Sequence, residues 1–289
     1  MHPRRLSILG VGLLGGSIGL AVKRRISDCK IVGYGHRRAT LDAALKIGAI
    51  DEACDDPAIA VRAADLVILC TPVGVIHPLL RRIASELSDG TIVTDVGSTK
   101  RHIVEAGQSL LPARVHFVGS HPMAGSEKRG VEVAREDLYD RALCITTPNS
   151  KTNVDALTAV EAFWHRLGMR TTRLSPDEHD RLLADVSHLP HVVAAALVAI
   201  QQDSALDLCG KGFLDATRIA SGDGALWRDI LLDNRDNLRQ SIGRFVEHLR
   251  EFEVILEAGQ PEALEKWLTD AAQRRKQALE RREGKNGDG

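Results

Sequence analysis

Stacking surface is scarce in this chain: phenylalanine, tyrosine and tryptophan make up only 3% of its 289 residues. That is too little to line a groove for single-stranded nucleic acid, which needs successive aromatic platforms. An excess of one charge is missing too. A formal net charge of -1 gives no global field to draw the protein to a polyanion or an anionic bilayer. Neither nucleic acid nor a membrane is an expected partner. The five cysteines, at 29, 54, 70, 144 and 209, are scattered, odd in number and without a C-x-x-C pair. They make no disulfide framework and suit free thiols in a reducing cytoplasm. No run reaches the ~18 consecutive apolar residues of a spanning helix. The stretch after Arg4-Arg5 is apolar, but it holds five glycines and no small-residue cleavage site. It therefore reads as a strand and loop rather than a signal peptide.

What the chain does have is alternation. Apolar runs at Arg5 to Leu9, Lys30 to Tyr34, Leu66 to Cys70, Thr91 to Val96 and Val115 to Val118 read as buried strands between helical segments. That alternation predicts an α/β fold with a parallel, doubly wound sheet. Further strands are expected at Arg141 to Thr146 and Arg170 to Leu174. Ser175-Pro176, with Glu178 close behind, has the form of a helix start. Beyond it only helices are legible, at 176–187, 190–206, 226–257 and 261–281. A boundary near 175 follows, with a dinucleotide-binding domain over 1–174 and a helical substrate and dimerisation domain over 175–289. The charged tail is expected to fray from about residue 274. Val192 to Ile200 is apolar on every face, which calls for burial in a core or against a second subunit. A homodimer is expected.

Gly10-Val11-Gly12-Leu13-Leu14-Gly15 follows the first strand and opens a helix, the context in which G-x-G-x-x-G binds a dinucleotide. Gly10 allows the tight turn, Gly12 the close approach of pyrophosphate, and Gly15 the packing of helix on strand. The helix N-terminus then meets the phosphates with free N–H groups. Thr71-Pro72, ending the Leu66 strand, borders the same crevice. An NAD site usually places an acid at the end of the second strand. Here the residues are Gly33-Tyr34-Gly35-His36-Arg37-Arg38. The missing acid and the paired arginines favour NADP, held at its 2′-phosphate by Arg37 and Arg38 beside His36, with NAD as the alternative.

On the substrate side, Gly119-Ser120-His121-Pro122-Met123-Ala124-Gly125-Ser126-Glu127 places His121 in an expected loop after the Val115 strand. Loops at the carboxyl ends of parallel strands form the ligand crevice, and a histidine there offers a base of pKa near ~6.5. Ser98 lies in the loop ending the neighbouring strand. His188 and His191 have a spacing that a metal could use, but zinc wants three or four convergent ligands, and no metal is expected. Arg218 could pair with Asp215, and Trp227 alone would be core.

Taken in order, the pieces resemble the prephenate dehydrogenase family, with its arogenate and cyclohexadienyl members. They are the glycine loop, Asp95-Val96-Gly97-Ser98-Thr99-Lys100, the His121 segment, Ser187-His188-Leu189-Pro190-His191, Asp215-Ala216-Thr217-Arg218-Ile219-Ala220 and Trp227-Arg228-Asp229-Ile230 with Asn234. The resemblance runs from about residue 5 to 255. It implies a Rossmann domain, an all-helical dimerisation domain and a site in the cleft between them. It also implies oxidative decarboxylation of prephenate with hydride transfer to NAD(P), a step of tyrosine biosynthesis, with arogenate as the alternative substrate. By the same resemblance His121 acts at the ring 4-hydroxyl and Ser98 assists it. Arg218 and His191 hold carboxylate or side chain, and Ser120, Asp215 and Trp227 complete the pocket. One departure is Ala220-Ser221-Gly222-Asp223-Gly224, where family members often read Ala-Lys-Ser-Asp-Pro. A 3-hydroxyacid dehydrogenase would need a catalytic lysine in the helical part; Lys211, in a Gly-Lys-Gly turn, fits poorly. A nucleotide sensor would have no use for His121, Ser98 and Arg218 together. A histidine acceptor predicts activity rising with pH around ~6–7.

Overall fold

The computed structural model describes residues 2–125 and 128–287, with side chains as far as Arg281. The first strands and helices alternate: β1 (Arg5–Leu9), α1 (Leu13–Arg25), β2 (Lys30–Tyr34), α2 (Arg38–Lys46), β3 (Glu52–Cys54), α3 (Pro57–Ala60), β4 (Leu66–Leu69), α4 (Val73–Ile83), β5 (Ile92–Asp95), α5 (Arg101–Leu110) and β6 (His116–Val118). The six strands are parallel, in the order β3-β2-β1-β4-β5-β6. This is the doubly wound arrangement, with its reversal between β1 and β4. Alternate residues of a strand point to opposite faces, and here both faces are covered. Ile8, Ile18, Ile31, Ile68, Phe163 and Trp164 belong to one buried cluster. Leu9, Val67, Leu80, Val93, Ile103 and Phe117 belong to the other.

The remaining strands form a separate sheet. β7 (Ser120–Pro122) pairs antiparallel with β8 (Leu143–Thr146), which runs parallel to β9 (Arg170–Arg173) across the gap spanned by α6 (Val154–Arg166). The chain changes sheets at Gly119. A Cβ there would lie 2.4 Å from Thr147 Oγ1 and 2.7 Å from Val104 Cγ2, so only glycine passes. His121 therefore sits on a strand, opposite Ile145, and not in the loop that its glycine-rich surroundings suggested. Ser126 and Glu127, the end of that motif, lie outside the described residues.

The helical part contains α7 (Pro176–Leu183), a π-helical turn Ala184–His188, α8 (Leu189–Ala199), α9 (Asp203–Leu206), α10 (Lys211–Thr217), a 3₁₀ turn Arg218–Ser221, α11 (Gly224–Asp233), α12 (Arg235–Glu257) and α13 (Pro261–Gly287). The helix expected over 190–206 ends at Ala199, and the one expected over 226–257 breaks at Asn234. That break has a cause: Asn234 is buried and donates its side-chain amide to Asp180 O at 2.7 Å. α13 continues to Gly287 without fraying at 274; Asp288 and Gly289 lie outside the described residues. The continuous stretch Pro176–Ala199 is long and apolar enough to cross a membrane, with a mean hydropathy of 1.6. Counting only consecutive apolar residues overlooks it, because charged residues up to Asp185, then Ser187, His188 and His191, interrupt the run.

By internal contacts the chain forms two compact units, Met1–Leu238 and Arg239–Gly289. Within the second, Trp267 meets His248 at 5.0 Å and Phe252 at 4.8 Å between ring centroids.

Candidate active site around His121

The nucleotide loop is built by steric necessity at two positions. Gly10 has φ +108°, and a Cβ on it would stand 2.6 Å from Cys70 O at the end of β4. A Cβ on Gly15 would stand 2.1 Å from Gly10 O. Gly12 is different: nothing lies within 4 Å of its would-be Cβ. It is the N-cap of α1, whose first turn holds no acid and receives no side-chain cap. Free N–H groups and a positive dipole end thus face open space, where a pyrophosphate fits. Leu13 and Leu14 open the helix behind it. Thr71 Oγ1, beside this loop, is buried and has no hydrogen-bond partner, a further polar atom suited to a bound dinucleotide; Pro72 caps α4. His36, Arg37 and Arg38 are exposed. Arg38 bonds Asp42 at 2.9 Å.

His121 is buried at the centre of a polar line. Its Nδ1 lies 2.9 Å from Nε2 of His179 on α7. His179 Nδ1 lies 2.8 Å from Asp180 Oδ1. The Asp180 carboxylate accepts the backbone N–H of Lys100 at 2.7 Å and of Arg101 at 2.9 Å. Burial first, then His179, Lys100 and His188, holds the His121 imidazole well below its usual pKa, so it is neutral. Burial also lowers His179 against the opposing pull of Asp180. For Asp180, burial works to raise the carboxyl, but His179 and the two backbone N–H groups outweigh it and keep it ionised. His188 is pushed down to about 4, chiefly by burial.

Beneath this line lies a fully buried ion pair. The Lys100 ammonium meets Asp95 Oδ2. Asp95 Oδ2 also accepts Gly97 N at 2.8 Å, and Asp95 Oδ1 accepts Ser120 N at 3.1 Å. Removing either partner would strand a buried charge. Ser120, expected to meet substrate, is fully buried. Its hydroxyl donates to Asp95 O at 2.6 Å, lies 2.8 Å from Thr94 Oγ1 and accepts Trp164 Nε1 at 3.2 Å. That places it as a tie between β5 and β7 instead. Ser98 is half-buried in the turn between β5 and α5, and among the described residues its hydroxyl makes no hydrogen bond. Of the two ring nitrogens of His121, Nδ1 goes to His179.

The other expected substrate residues form a second group. His191 stacks on Trp227, with ring centroids 3.6 Å apart and planes 14° from parallel. Trp227 also meets His188 edge-on at 6.3 Å. The turn that starts at Arg218 packs on α8, which carries His191. Asp215 pairs with Lys211, not Arg218, on the exposed face of α10. His188 and His191 do not converge: His188 Nδ1 takes an amide hydrogen of Asn234 at 3.1 Å. His179, Asp180, Lys100 and Asp95 were not among the expected functional residues. Asp95 and Lys100 bound the motif that the resemblance quoted around Ser98, whereas His179 and Asp180 offered only a His-Asp pair near the start of a proline-started helix.

A doubly wound sheet with an open dinucleotide loop, and a buried neutral histidine past its carboxyl edge, defines a dinucleotide-dependent oxidoreductase. Comparison with known proteins narrows this. Residues 18–173 match the model of the prephenate dehydrogenase nucleotide-binding domain, and residues 175–270 that of the prephenate dehydrogenase dimerization domain. The chain is 40% identical to prephenate dehydrogenase of Bacillus subtilis over 255 residues, 86% of this chain and 68% of the relative. A crystal structure of prephenate dehydrogenase from Aquifex aeolicus, in complex with hydroxyphenyl propionate and NAD+, superposes with a TM-score of 0.89. Identity there is 33%, over 95% of this chain and 98% of that one. Synechocystis arogenate dehydrogenase gives a TM-score of 0.82 at 29% identity, over 95% and 99% of the two chains. The chain belongs to the prephenate dehydrogenase family.

Proposed function

We propose that this protein oxidises and decarboxylates prephenate to 4-hydroxyphenylpyruvate with reduction of NAD(P)+, a step of tyrosine biosynthesis. The observation that carries this is His121: buried, neutral, and held through one ring nitrogen at 2.9 Å from His179. The other nitrogen, Nε2, is left to take a proton. The bound oxidised nicotinamide supplies the acceptor for a hydride. Gly10, Gly12 and Gly15 shape the loop for its pyrophosphate, and Thr71 contributes a hydroxyl.

The bookkeeping needs one base. As the C–H bond of the ring carbinol carbon breaks with its electron pair, the hydroxyl proton passes to His121 Nε2. The bond to the ring carboxylate then breaks. Carbon dioxide leaves, and the electron pair makes the ring aromatic, with negative charge on the former hydroxyl oxygen. His121 returns its proton there, so no proton is gained or lost overall. Such acid–base assistance is worth ~10²–10⁴-fold. Aromatisation makes the sequence downhill, so the protein's task is mainly positioning. His191, on its Trp227 platform, and Arg218 suit the substrate's carboxylates, since a guanidinium can donate two charge-assisted hydrogen bonds. By the family resemblance Ser98, half-buried in the turn between β5 and α5, would assist His121 near the nicotinamide.

The finer readings have their own support. NADP is favoured over NAD because β2 ends without an acid and is followed by exposed Arg37 and Arg38. A homodimer is favoured because Val186, Ile200 and Leu208 are 69–86% exposed on the apolar helical part, and a second copy would cover them. A reducing cytoplasm is favoured because Cys29, Cys54, Cys70, Cys144 and Cys209 are free thiols. Mixing the protein with prephenate or arogenate and either nucleotide, and following absorbance of the reduced nicotinamide, tests the whole reading. Reduction with prephenate is expected; none with either acid would overturn it.

A further inference from the structure

We propose that His179 is a positioning residue for this reaction: with Asp180 it fixes the tautomer of His121, so that Nε2 carries the free lone pair. This rests on the reading of His121 as the proton acceptor. The argument is one of donors and acceptors. An ionised carboxylate can only accept. Asp180 Oδ1 lies 2.8 Å from His179 Nδ1, so that nitrogen must carry its hydrogen. A neutral imidazole carries one N–H, and His179 Nε2 is therefore an acceptor. It lies 2.9 Å from His121 Nδ1, which must then be the donor. Neutral His121 is left with its hydrogen on Nδ1 and its lone pair on Nε2. No other assignment of hydrogens on two neutral rings satisfies both contacts.

The start of this order is held firmly. Asp180 sits at the N-terminus of α5, where backbone N–H groups and the helix dipole favour a carboxylate. Its two bonds to Lys100 and Arg101 span about eighty positions of sequence. Asn234, from the break between α11 and α12, grips Asp180 O. The tautomer of His121 on β7 is thus set by residues on α5, α7 and the α11–α12 junction. Serine proteases show what this is worth: a triad histidine in the wrong tautomer costs about 10⁴-fold in kcat.

Both rings must be neutral in the resting protein for the order to hold before His121 takes the substrate's proton. The groups facing them are Lys100 and Asp95 from β5 and the turn after it, Asp180 from α7, His188 from the π-helical turn and the Cys144 thiol on β8. The Lys100 ammonium and the buried neighbours disfavour a second proton on either ring.

The test uses the full-length protein with prephenate and NAD(P)+, comparing His179→Leu, His179→Gln and His121→Asn. Leucine removes the acceptor, and glutamine restores one in its side-chain oxygen. His179→Leu should lower kcat by about 10²-fold or more, with KM for prephenate within about threefold. His179→Gln should recover most of that loss. Nitrogen-15 imidazole spectra of the wild-type protein should show His121 protonated at Nδ1 and bare at Nε2. That measurement stands even if the leucine variant folds poorly. A bare Nδ1 on His121 overturns the proposal, as does a kcat for His179→Leu within about threefold of wild type. If His121→Asn is impaired and His179→Leu is not, the positioning role alone falls. If His121→Asn is itself near normal, the acceptor reading falls and takes this inference with it.

Discussion

His191 lies flat against Trp227, ring centroids 3.6 Å apart, and Gly222 is what lets them meet. A Cβ on Gly222 would lie 2.5 Å from Trp227 Nε1 and 2.9 Å from His191 Cε1. A ring held by its face presents its edge, and Nδ1 of His191 is a buried atom with no partner. Gly222→Ala should part the stack and cost the substrate one charge-assisted hydrogen bond, raising KM for prephenate roughly tenfold. KM for the nucleotide should not move. Steady-state kinetics with each substrate varied in turn checks this; an unchanged prephenate KM would detach the stack from substrate binding.

His121→Asn keeps a polar side chain on β7 but removes the base. Its contribution grows as the hydroxyl loses its proton, so the loss should fall on kcat, by ~10²–10⁴-fold, and spare KM. A variant with the opposite pattern would make His121 a binding residue only.

The pH dependence departs from what a solvent-exposed histidine would give. Burial, aided by His179, Lys100 and His188, holds His121 well below the ordinary imidazole value. The acid limb of kcat should therefore lie below the ~6–7 expected from an unperturbed ring, and activity should be flat across pH 6.5 to 7.5. Stability should respond earlier. In the unfolded chain His121, His179 and His188 take up protons near pH ~6.5, whereas the folded protein resists, His188 down to about 4. The unfolded state then binds more protons. Stability should fall as pH drops below ~6.5, by about 1.4 kcal/mol per pH unit for each such histidine until its folded pKa is reached. Melting temperatures measured from pH 7 to 5 test the sign; a Tm that rises on acidification would contradict it.

The central sheet was legible because β4 is an unbroken apolar run and β1 is mostly apolar, as a strand buried on both faces requires. β3 was not, because Glu52–Cys54 is a three-residue edge strand without apolar period. β7 was not, because Ser120-His121-Pro122 looks like a loop. Its extended form comes from pairing with Cys144, Ile145 and Thr146, a tertiary cause invisible locally. The glycine loop and His121 could be read from type and spacing. His179 and Asp180 could not: in sequence they are polar residues near the start of a helix. Folding alone brings His179 across fifty-eight positions to His121. Ser120 misled for the converse reason, since adjacency to His121 on a strand turns its side chain to the opposite face.

Gly12 and Gly15 separate folding from binding within one motif. Gly15→Ala would force a Cβ to 2.1 Å from Gly10 O, so it should lower stability by about 1–3 kcal/mol or more. Gly12→Ala meets nothing within 4 Å, and φ of -81° suits any residue. Its Tm should match wild type, while KM for the nucleotide rises about tenfold or more because the methyl stands where the pyrophosphate approaches. Thermal melts with and without NAD(P) distinguish the two. Equal nucleotide KM for Gly12→Ala and wild type would remove the phosphates from this loop.

Nucleotide choice should turn on Arg37 more than on Arg38. Both follow β2, where a ribose-binding acid is missing. Arg38 is already bonded to Asp42 one helical turn on, so it would have to leave a partner to reach a 2′-phosphate. Arg37, the N-cap of α2, has no ion pair among the described residues, and its α2 N-terminus offers free N–H groups to the same anion. Losing a charge-assisted bond to phosphate costs ~1.5–3 kcal/mol. Arg37→Ala should therefore raise KM for NADP by roughly tenfold to a hundredfold and leave KM for NAD nearly unchanged. Asp42→Ala, which frees Arg38, should shift preference further toward NADP. If Arg37→Ala weakens both nucleotides equally, or neither, the 2′-phosphate is not read at this turn.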